Sequence, residues 1–231
     1  MGRKPSFRLA MLVIACSALF IPVTAVAGGK LGLYATRFQP NGQDAEKYSR
    51  VSWGGGIEAI VPLRQTHDLF AFAGGAELVR MLGQTTEYRD ARTGLRVEQQ
   101  TSQDYSRLFL GGRLGPHGRG FVRPHVGANV AFVVYDIRTD VVVPDDINRQ
   151  NEIRQNLKSE TRTVFGYDFN AGVDLNIANA FPLEIGARYI KSFGVPQQLG
   201  EGSVRVSPEY FQIYFGFGVG FDFLRRHGGS Q

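Results

Sequence analysis

Strict alternation of apolar and polar residues runs through much of the chain after about residue 30. Its clearest stretch, residues 210–223, reads YFQIYFGFGVGFDF. Phenylalanine, isoleucine and valine take every second position, while tyrosine, glutamine, glycine and Asp222 stand between them. Successive side chains of a β-strand point to opposite faces of the sheet. The stretch therefore predicts a strand with one apolar face and one polar, glycine-rich face.

Eight segments of this kind predict an all-β chain, and no amphipathic helix is predicted beside them. They span roughly residues 31–38, 51–61, 69–80, 104–114, 121–135, 163–177, 182–191 and 209–223. The connections between them, of about 12, 7, 23, 6, 27, 4 and 17 residues, alternate long and short. An up-and-down barrel with both termini on one side of a membrane predicts this alternation.

Alternation alone leaves open which face points inward, because a soluble, lipocalin-like barrel would turn its apolar face to the inside. The polar faces combine charged residues of both signs with many glycines. Glycine weakens a solvated strand, whereas an eight-stranded lumen has only enough room for side chains. We therefore predict an eight-stranded antiparallel up-and-down transmembrane β-barrel with its apolar face outward. The polar residues predicted to form a network in the lumen are Glu58, Glu77, Arg107, Arg113, Arg123, His125, Asp168, Asp174, Glu184, Arg188 and Asp222.

The N-terminal region is typical of a secretory signal. Residues 1–8 carry three basic side chains and no acid, an apolar run covers residues 9–23, and small residues precede Gly28. This pattern predicts cleavage between Ala27 and Gly28. The alternatives are an uncleaved anchor, for which the apolar run is short, and a lipoprotein acylated on Cys16. The predicted organisation is thus a signal peptide (1–27), a barrel (28–224) and a short periplasmic tail (225–231).

The signal accounts for most of the apparent basicity. The chain has 26 Lys and Arg against 21 Asp and Glu, and three of the basic residues lie in the predicted leader. No basic stripe accompanies the small surplus that remains, so nucleic-acid binding is not predicted. Cys16 is the only cysteine, and it also leaves with the leader. Disulfides, a thiol nucleophile and a zinc–thiolate site are therefore not expected, and no cofactor is predicted.

Residues 115–135, GPHGRGFVRPHVGANVAFVVY, together with the leader and the eight alternating strands, resemble the outer-membrane β-barrel family that includes OmpA/OmpX-type small barrels. The resemblance implies the outer membrane of a Gram-negative bacterium and a monomer. It also implies contact with membrane lipid and lipopolysaccharide, and assembly by the barrel-assembly machinery. One departure is that residues 224–231 follow Phe223, whereas such proteins often end on the aromatic residue.

The lumenal charges have two interpretations. They could line a narrow path for ions or small solutes, because rings of charge select ions. Alternatively, they pair with one another and plug the lumen, since buried charges are tolerated only when partnered. We favour the plug, because eight strands leave little open space.

Function is then expected in two long, charge-rich loops, residues 81–103 and 136–162. They are predicted to be extracellular, and their charges could recognise an extracellular ligand or remain hydrated. An enzymatic role, such as lipid-A modification, would need a serine, a histidine and an acid together. The chain has four histidines, His67, His117, His125 and His227. None of them has a serine within a few residues on the same face of a strand. The protein is therefore predicted to be non-enzymatic, with a structural or surface-interaction role.

Overall fold

The computed structural model describes residues 29–46, 50–89, 94, 96–117, 120–143, 153–178, 181–199 and 202–220. The predicted leader, with its cleavage site at Ala27 and Gly28, and the predicted tail lie outside these residues, as does Asp222. None of the described helices is long and apolar enough to span a membrane.

Eight strands close into one antiparallel barrel, in the order β1-β10-β7-β6-β5-β4-β3-β2. The wall strands are β1 (Lys30–Asn41), β2 (Ser52–Pro62), β3 (Phe70–Arg89), β4 (Arg96–Leu114), β5 (Val122–Val143), β6 (Ile153–Ala178), β7 (Phe181–Ser192) and β10 (Glu209–Gly220). β1 pairs with β2 and also with β10, with Lys30 opposite Gly220, and this pairing closes the wall. The all-β, eight-stranded up-and-down prediction is confirmed.

Three small elements join the strands. A one-turn helix α1 (Gln43–Glu46) follows β1, and a 3-10 turn (Arg64–Thr66) follows β2. A separate hairpin of β8 (Val195–Leu199) and β9 (Gly202–Val206) lies between β7 and β10. The turn after β2 contains two non-glycine residues with positive φ, His67 at 53° and Asp68 at 59°.

The wall has the outward apolar face that the alternation predicts. Large apolar side chains from all eight wall strands point away from the lumen and are 40–69% exposed. Examples are Trp53, Phe72, Leu110, Phe132, Phe169, Phe211, Ile213, Phe215 and Phe217. Such a continuous apolar surface is larger than soluble monomers normally expose to water. It matches the lipid-facing band of a transmembrane barrel.

Four of the strands continue well beyond this band. Pairing of β2 with β3 ends at Gly54 and Val79, and pairing of β6 with β7 ends at Gly166 and Ser192. Beyond these points β3, β4, β5 and β6 pair only among themselves. We call this four-stranded extension, residues 80–89, 96–104, 136–143 and 153–162, the blade. At about 3.3 Å per residue its strands run roughly 30 Å.

The blade corrects the prediction of two long loops at residues 81–103 and 136–162. Both segments are mainly strand, and only the short connections at their tips lie outside the described residues. β-Bulges between Arg80 and Leu82 and between Thr139 and Asp140 adjust the register as the strands leave the barrel. Hydrogen bonding along the backbone therefore continues where the apolar alternation stops. The two longest of the predicted connections therefore reflected strand extensions rather than long loops.

The two ends of the barrel differ. We call one end the terminal end, because β1 begins there and β10 ends there. It also contains the short turns after β2, β4 and β6. At the other, the blade end, stand the blade, α1 and the β8–β9 hairpin. The ends are connected by a wall only about 12 residues high at β1, β7 and β10.

Replacing Ile213 by lysine tests whether the outer face contacts lipid. Ile213 lies in the middle of β10 and is 50% exposed on the outward face. Lysine there should lower the free energy of unfolding in bilayers by about 2–4 kcal/mol, as a charge near the bilayer centre does. Urea titration followed by gel mobility measures the loss.

The matched control is Thr85→Lys on the exposed blade, which should change the unfolding free energy by about 0.5 kcal/mol or less. Equal effects of the two lysines would show that the outward face of β10 does not contact hydrocarbon.

Candidate functional site

The barrel lumen holds the densest polar chemistry among the described residues. Alternate side chains of every wall strand point inward, and they form three layers along the axis. An aromatic layer lies toward the blade end, a layer around Glu77 lies in the middle, and a layer around Arg113 lies toward the terminal end. Each layer is built by side chains from several strands, so the fold rather than any local motif assembles them.

Glu77 is the centre of the middle layer. Its Oε2 accepts hydrogen bonds from Tyr34 Oη at 2.9 Å and from both Arg107 Nη2 and Arg188 Nη1 at 3.3 Å. Its Oε1 accepts from Gln212 Nε2 at 2.5 Å. The Glu77 side chain has no solvent exposure. Four donors from four other strands therefore satisfy one buried carboxylate, as a charge away from water requires.

Asp168 completes the middle layer from β6. Its Oδ2 accepts from Arg107 Nη1 at 2.8 Å, and its Oδ1 accepts from Asn129 Nδ2 at 2.8 Å. Asn170 Nδ2 donates to the same Oδ1 at 3.3 Å. Arg107 thus bridges Glu77 and Asp168, which lie on opposite sides of its own strand.

Arg188 links the middle layer to the layer around Arg113, which we call the lower layer. Besides Glu77, its guanidinium reaches Glu58 Oε2 at 3.4 Å and Asp168 Oδ1 at 3.5 Å. Aromatic rings surround the guanidinium, with Tyr214 at 4.9 Å and Phe109 at 5.1 Å from its central carbon. Cation–π attraction is stronger in such a desolvated position than at a surface. The side chain is only 1% exposed.

The lower layer holds the lumen's remaining buried charges. Arg113 Nη2 donates to Glu58 Oε1 at 2.7 Å and to Glu184 Oε1 at 2.8 Å. Lys30 Nζ donates to Glu184 Oε2 at 2.6 Å and to Asp174 Oδ1 at 2.5 Å. The two cations thereby cross-link three acids contributed by β2, β6 and β7.

His125 lies at the edge of this layer. Its Nε2 is 3.3 Å from Glu184 Oε1 and 3.4 Å from Tyr214 Oη. Ligand atoms of His125, Asp174 and Glu184 come within 4.8 Å of one another, which is close enough to consider a metal ion. Lys30 already donates to both carboxylates and Arg113 donates to Glu184, however, and their positive charges oppose a cation at the same place. The arrangement is that of an ion-pair cluster.

The aromatic layer packs in the lumen toward the blade end. The rings of Phe38 and Tyr210 have centroids 4.4 Å apart, and Tyr105 lies 5.0 Å from Phe38 and 5.5 Å from Tyr135. Ala45 of α1 is buried in the same cluster. Tyr135 Oη donates to Ser192 Oγ at 3.0 Å, which ties the layer to β7.

Glycines on the inward faces make the room for these side chains. A Cβ atom on Gly186 would lie 2.4 Å from the Tyr214 ring, and one on Gly56 would lie 2.6 Å from Tyr34. At Gly75 it would lie 2.7 Å from Phe109. A side chain cannot be accommodated at these distances without moving a ring that packs against Arg188 or bonds to Glu77. The glycine-rich polar faces of the sequence are therefore part of the lumenal packing.

The structure brings together most of the residues predicted for the lumen. Buried in the two charged layers are Glu58, Glu77, Arg107, Arg113, His125, Asp168, Asp174, Glu184 and Arg188. Arg123 lies near the start of β5, opposite Asp174 in the register with β6, and its Nη1 donates to the carbonyl of His117 at 3.3 Å. Asp222 lies outside the described residues.

Sequence reasoning did not assign several members of the network, among them Asn129 and Asn170, which donate to Asp168. Lys30 was not assigned to a strand, yet it begins β1 and forms two ion pairs. Tyr34 and Gln212 both donate to Glu77. Gln212 stands on the polar face already visible in residues 210–223, so its inward direction could have been inferred. Its partner could not, because that depends on the register of strands far apart in sequence.

The other described histidines contribute to turns. His117 is buried in the β4–β5 connection, where its Nδ1 is 3.1 Å from the carbonyl oxygen of Asp68. Burial lowers the pKa of this histidine from its usual value, which favours the neutral ring. His67 is exposed in the connection after β2. His227 lies outside the described residues.

Comparison with solved structures identifies the architecture. Neisserial surface protein A superposes with a TM-score of 0.51 and 13% identity, over 84% of this chain and 97% of that chain. Ail, the attachment invasion locus protein of Yersinia pestis, gives a TM-score of 0.41 and 12% identity over 83% and 95%. A major outer membrane protein from Thermus thermophilus gives a TM-score of 0.45 and 10% identity, over 83% of this chain and 98% of that chain. No family model and no curated protein matches the sequence.

At this identity the likeness to Neisserial surface protein A defines the fold. The chain has the fold of the small eight-stranded outer-membrane β-barrels, as the resemblance in its sequence predicted. Fold alone does not carry an activity from one protein to another. The function therefore has to be argued from the lumen and the blade.

Replacing Glu77 by glutamine tests how strongly the charged layers hold the barrel. The substitution keeps the shape of the side chain but leaves Arg107 and Arg188 with one fewer negative partner. Breaking a buried pair by neutralising one member typically costs about 3–5 kcal/mol. We expect a loss of that order in the free energy of unfolding, measured by urea titration in bilayers.

Glu87→Gln is the matched control, because Glu87 pairs with Arg96 at 2.6 Å on the exposed blade. It should cost about 1 kcal/mol or less, as surface pairs do. An effect of Glu77→Gln as small as that of the control would show that the lumenal pairs contribute little to stability.

Proposed function

We propose that the protein is a monomeric, non-enzymatic outer-membrane β-barrel whose plugged lumen anchors the blade at the cell surface. The observation that carries the proposal is the continuation of four strands as a paired sheet beyond the apolar band. A barrel that only anchored itself in lipid would not need this extension. Surface interaction through the blade, or a structural role in the membrane, follows from it.

The apolar outer wall supports a location in the outer membrane. Closed barrels are the only sheets that can cross a bilayer, because every backbone hydrogen-bonding group is satisfied within the wall. The short turns at the terminal end are typical of the periplasmic side of such barrels, and longer connections are typical of the outside. We therefore assign the terminal end to the periplasm and the blade to the exterior.

The chemistry of the blade supports an interaction role. Its surface carries charged and hydroxylated side chains, including the exposed pair of Arg96 and Glu87. Arg138 Nε lies 3.0 Å from Asp140 Oδ2, and Asn156 donates to the other oxygen of that carboxylate. Paired strands hold these groups in a fixed arrangement, which a mobile loop would not do. An extracellular ligand could therefore be recognised by a preformed polar surface.

The lumen supports the plug over a conducting path. Arg188 and Arg107 cross the middle layer with almost no exposure, and the aromatic layer lies above them. Among the described lumenal residues, five carboxylates face four permanent cations, so nearly all charge is internally compensated. A solute moving along the axis would have to separate several buried ion pairs at once.

Planar-bilayer recording tests the plug. The wild-type protein should show no discrete channels. The double variant Glu77→Ala/Arg188→Ala removes one acid and one base from the centre and should open a path that produces channels. The charge-matched control Glu87→Ala/Arg96→Ala on the blade should stay silent. Discrete channels in the wild-type protein would overturn the plug and favour the narrow-channel alternative.

Cysteine labelling on intact cells tests the orientation. In a Cys16→Ser background, Thr85→Cys places a thiol on the blade and Gln65→Cys places one in the turn after β2. A membrane-impermeant maleimide should label the first and leave the second unreacted until the outer membrane is disrupted. Labelling of Gln65→Cys alone would place the blade in the periplasm and end the surface-interaction proposal.

A further inference from the structure

The edge of the apolar band on the blade side carries exposed arginines. On the outward face of β1, the residue that follows Ala35 is Arg37, and on the outward face of β3, Arg80 follows Leu78 in the same way. Both arginines are exposed, and the side chain of Arg80 is 76% exposed. Positive charge therefore replaces apolar surface at the end of the band on these two strands.

Trp53 lies between the two arginines on the outward face of β2. It is the register partner of Arg37 in the β1–β2 ladder. On its other side the last pair with β3 is Gly54 with Val79, so that Trp53 and Arg80 are the next residues on the two strands. The spacing of neighbouring strands puts the Cα atoms of the two arginines about 10 Å apart. Trp53 is 69% exposed. We call the surface formed by Arg37, Trp53 and Arg80 the rim site.

The strands around the rim site do not balance its charge. Within the described part of the chain, the side chain of Arg37 makes no hydrogen bond or ion pair. The one described acid on the outward faces of β10, β1 and β2 is Glu209, and it already accepts from Lys191 Nζ at 2.8 Å. Arg80 Nε lies 3.4 Å from Asp104 Oδ1, but most of the Arg80 side chain stays exposed. Two arginines and one nearby acid leave the rim site with a net positive charge.

The position of this charge identifies the chemistry of its partner. A cation at the edge of hydrocarbon is costly unless an anion accompanies it. Guanidinium groups bind phosphate oxygens through paired hydrogen bonds, and basic clusters beside a membrane attract anionic lipid head groups. Tryptophan settles at the level of those head groups. A lipid phosphate therefore satisfies both arginines at the depth where the tryptophan side chain is most stable.

We propose that the rim site binds the phosphate of an anionic membrane lipid. Arg37 and Arg80 donate to the phosphate from its two sides, and Trp53 packs against the head group between them. The proposal rests on the membrane location proposed above, and it adds to that location a binding site and a class of lipid. A phosphorylated glycolipid and an anionic phospholipid offer the same phosphate chemistry, so the experiment compares the two sources.

Trp53 is the chain's single tryptophan, and its fluorescence reports which lipid lies at the rim site. The protein is refolded in bilayers of phosphatidylcholine brominated near the head group, which quenches tryptophan on contact. A fraction of this lipid is then replaced by unbrominated phosphatidylcholine, phosphatidylglycerol, diphosphorylated lipid A or dephosphorylated lipid A. At least one of the two anionic lipids should relieve the quenching about fivefold more effectively than phosphatidylcholine, as one basic residue near a membrane surface accounts for.

Single substitutions locate the binding. Arg37→Gln and Arg80→Gln should each lower the preference for the anionic lipid about fivefold. Arg37→Lys keeps the charge but loses the paired donors, so its preference should fall between the wild type and Arg37→Gln. Lys191→Gln is the matched control, because it removes the same charge from the outward face at a cation already paired with Glu209. β10 and β1 separate it from β2, and it should bind as the wild type does.

The outcomes separate the rim site from the membrane location. Heat-dependent gel mobility shows whether each protein is folded and inserted, and protein that does not insert overturns the location itself. Equal relief by all four lipids from inserted protein overturns the rim site and leaves the location standing. An equal loss of preference in Lys191→Gln also overturns it, because general attraction to a charged bilayer would then explain the binding. Lipid A that binds better than phosphatidylglycerol and no better than its dephosphorylated form contradicts phosphate as the bound group.

Discussion

Charged side chains buried in the lumen must be partnered by one another, and this constraint organises the barrel. An isolated buried charge costs far more than the net stability of a typical domain. Glu77 accepts four hydrogen bonds from donors on β1, β4, β7 and β10. Those contacts require a single register around the wall. The ion pairs therefore specify which side chains face inward, in addition to filling the space between them.

The same constraint explains the composition of the strands. Arginine, tyrosine and phenylalanine are too large to fill every inward position of eight strands, so glycines stand opposite them. Gly186 lies against Tyr214, and Gly56 lies against Tyr34. The outward positions carry the apolar residues that lipid requires. The outward apolar face and the packed lumen are thus two consequences of one alternating pattern. The blade begins where the outward positions stop being apolar.

Much of this architecture could be predicted from the sequence, because alternation is a local signal. The inward direction of Glu58, Arg113 and Glu184 follows from counting every second residue. Which cation meets which acid does not, since Glu58 and Arg188 are 130 residues apart and meet only through the closed register. Lys30 was missed because it stands at the very start of its strand, next to the predicted leader.

The blade was missed for a different physical reason. In residues 81–103 and 136–162 charged and hydroxylated side chains are frequent, and although Met81, Val97 and Val142 are buried, the regular apolar alternation of the barrel wall is lost. Backbone pairing continues there without any contrast in side chains to reveal it. Bulges at Arg80 and at Thr139 also shift the inward-outward parity, which hides the continuity further. Segments that look like hydrated loops are consequently strands.

The central claim is that the lumenal charges are held by mutual pairing. A double-mutant cycle of Glu77→Gln and Arg107→Met tests it most directly, because Glu77 and Arg107 are register partners on β3 and β4 whose charged atoms lie 3.3 Å apart. Urea unfolding in bilayers gives the free energies of all four proteins. Pairing predicts a coupling energy of about 1–3 kcal/mol. Additive effects, within about 0.5 kcal/mol, would contradict it and show that the wall holds these charges without their interaction.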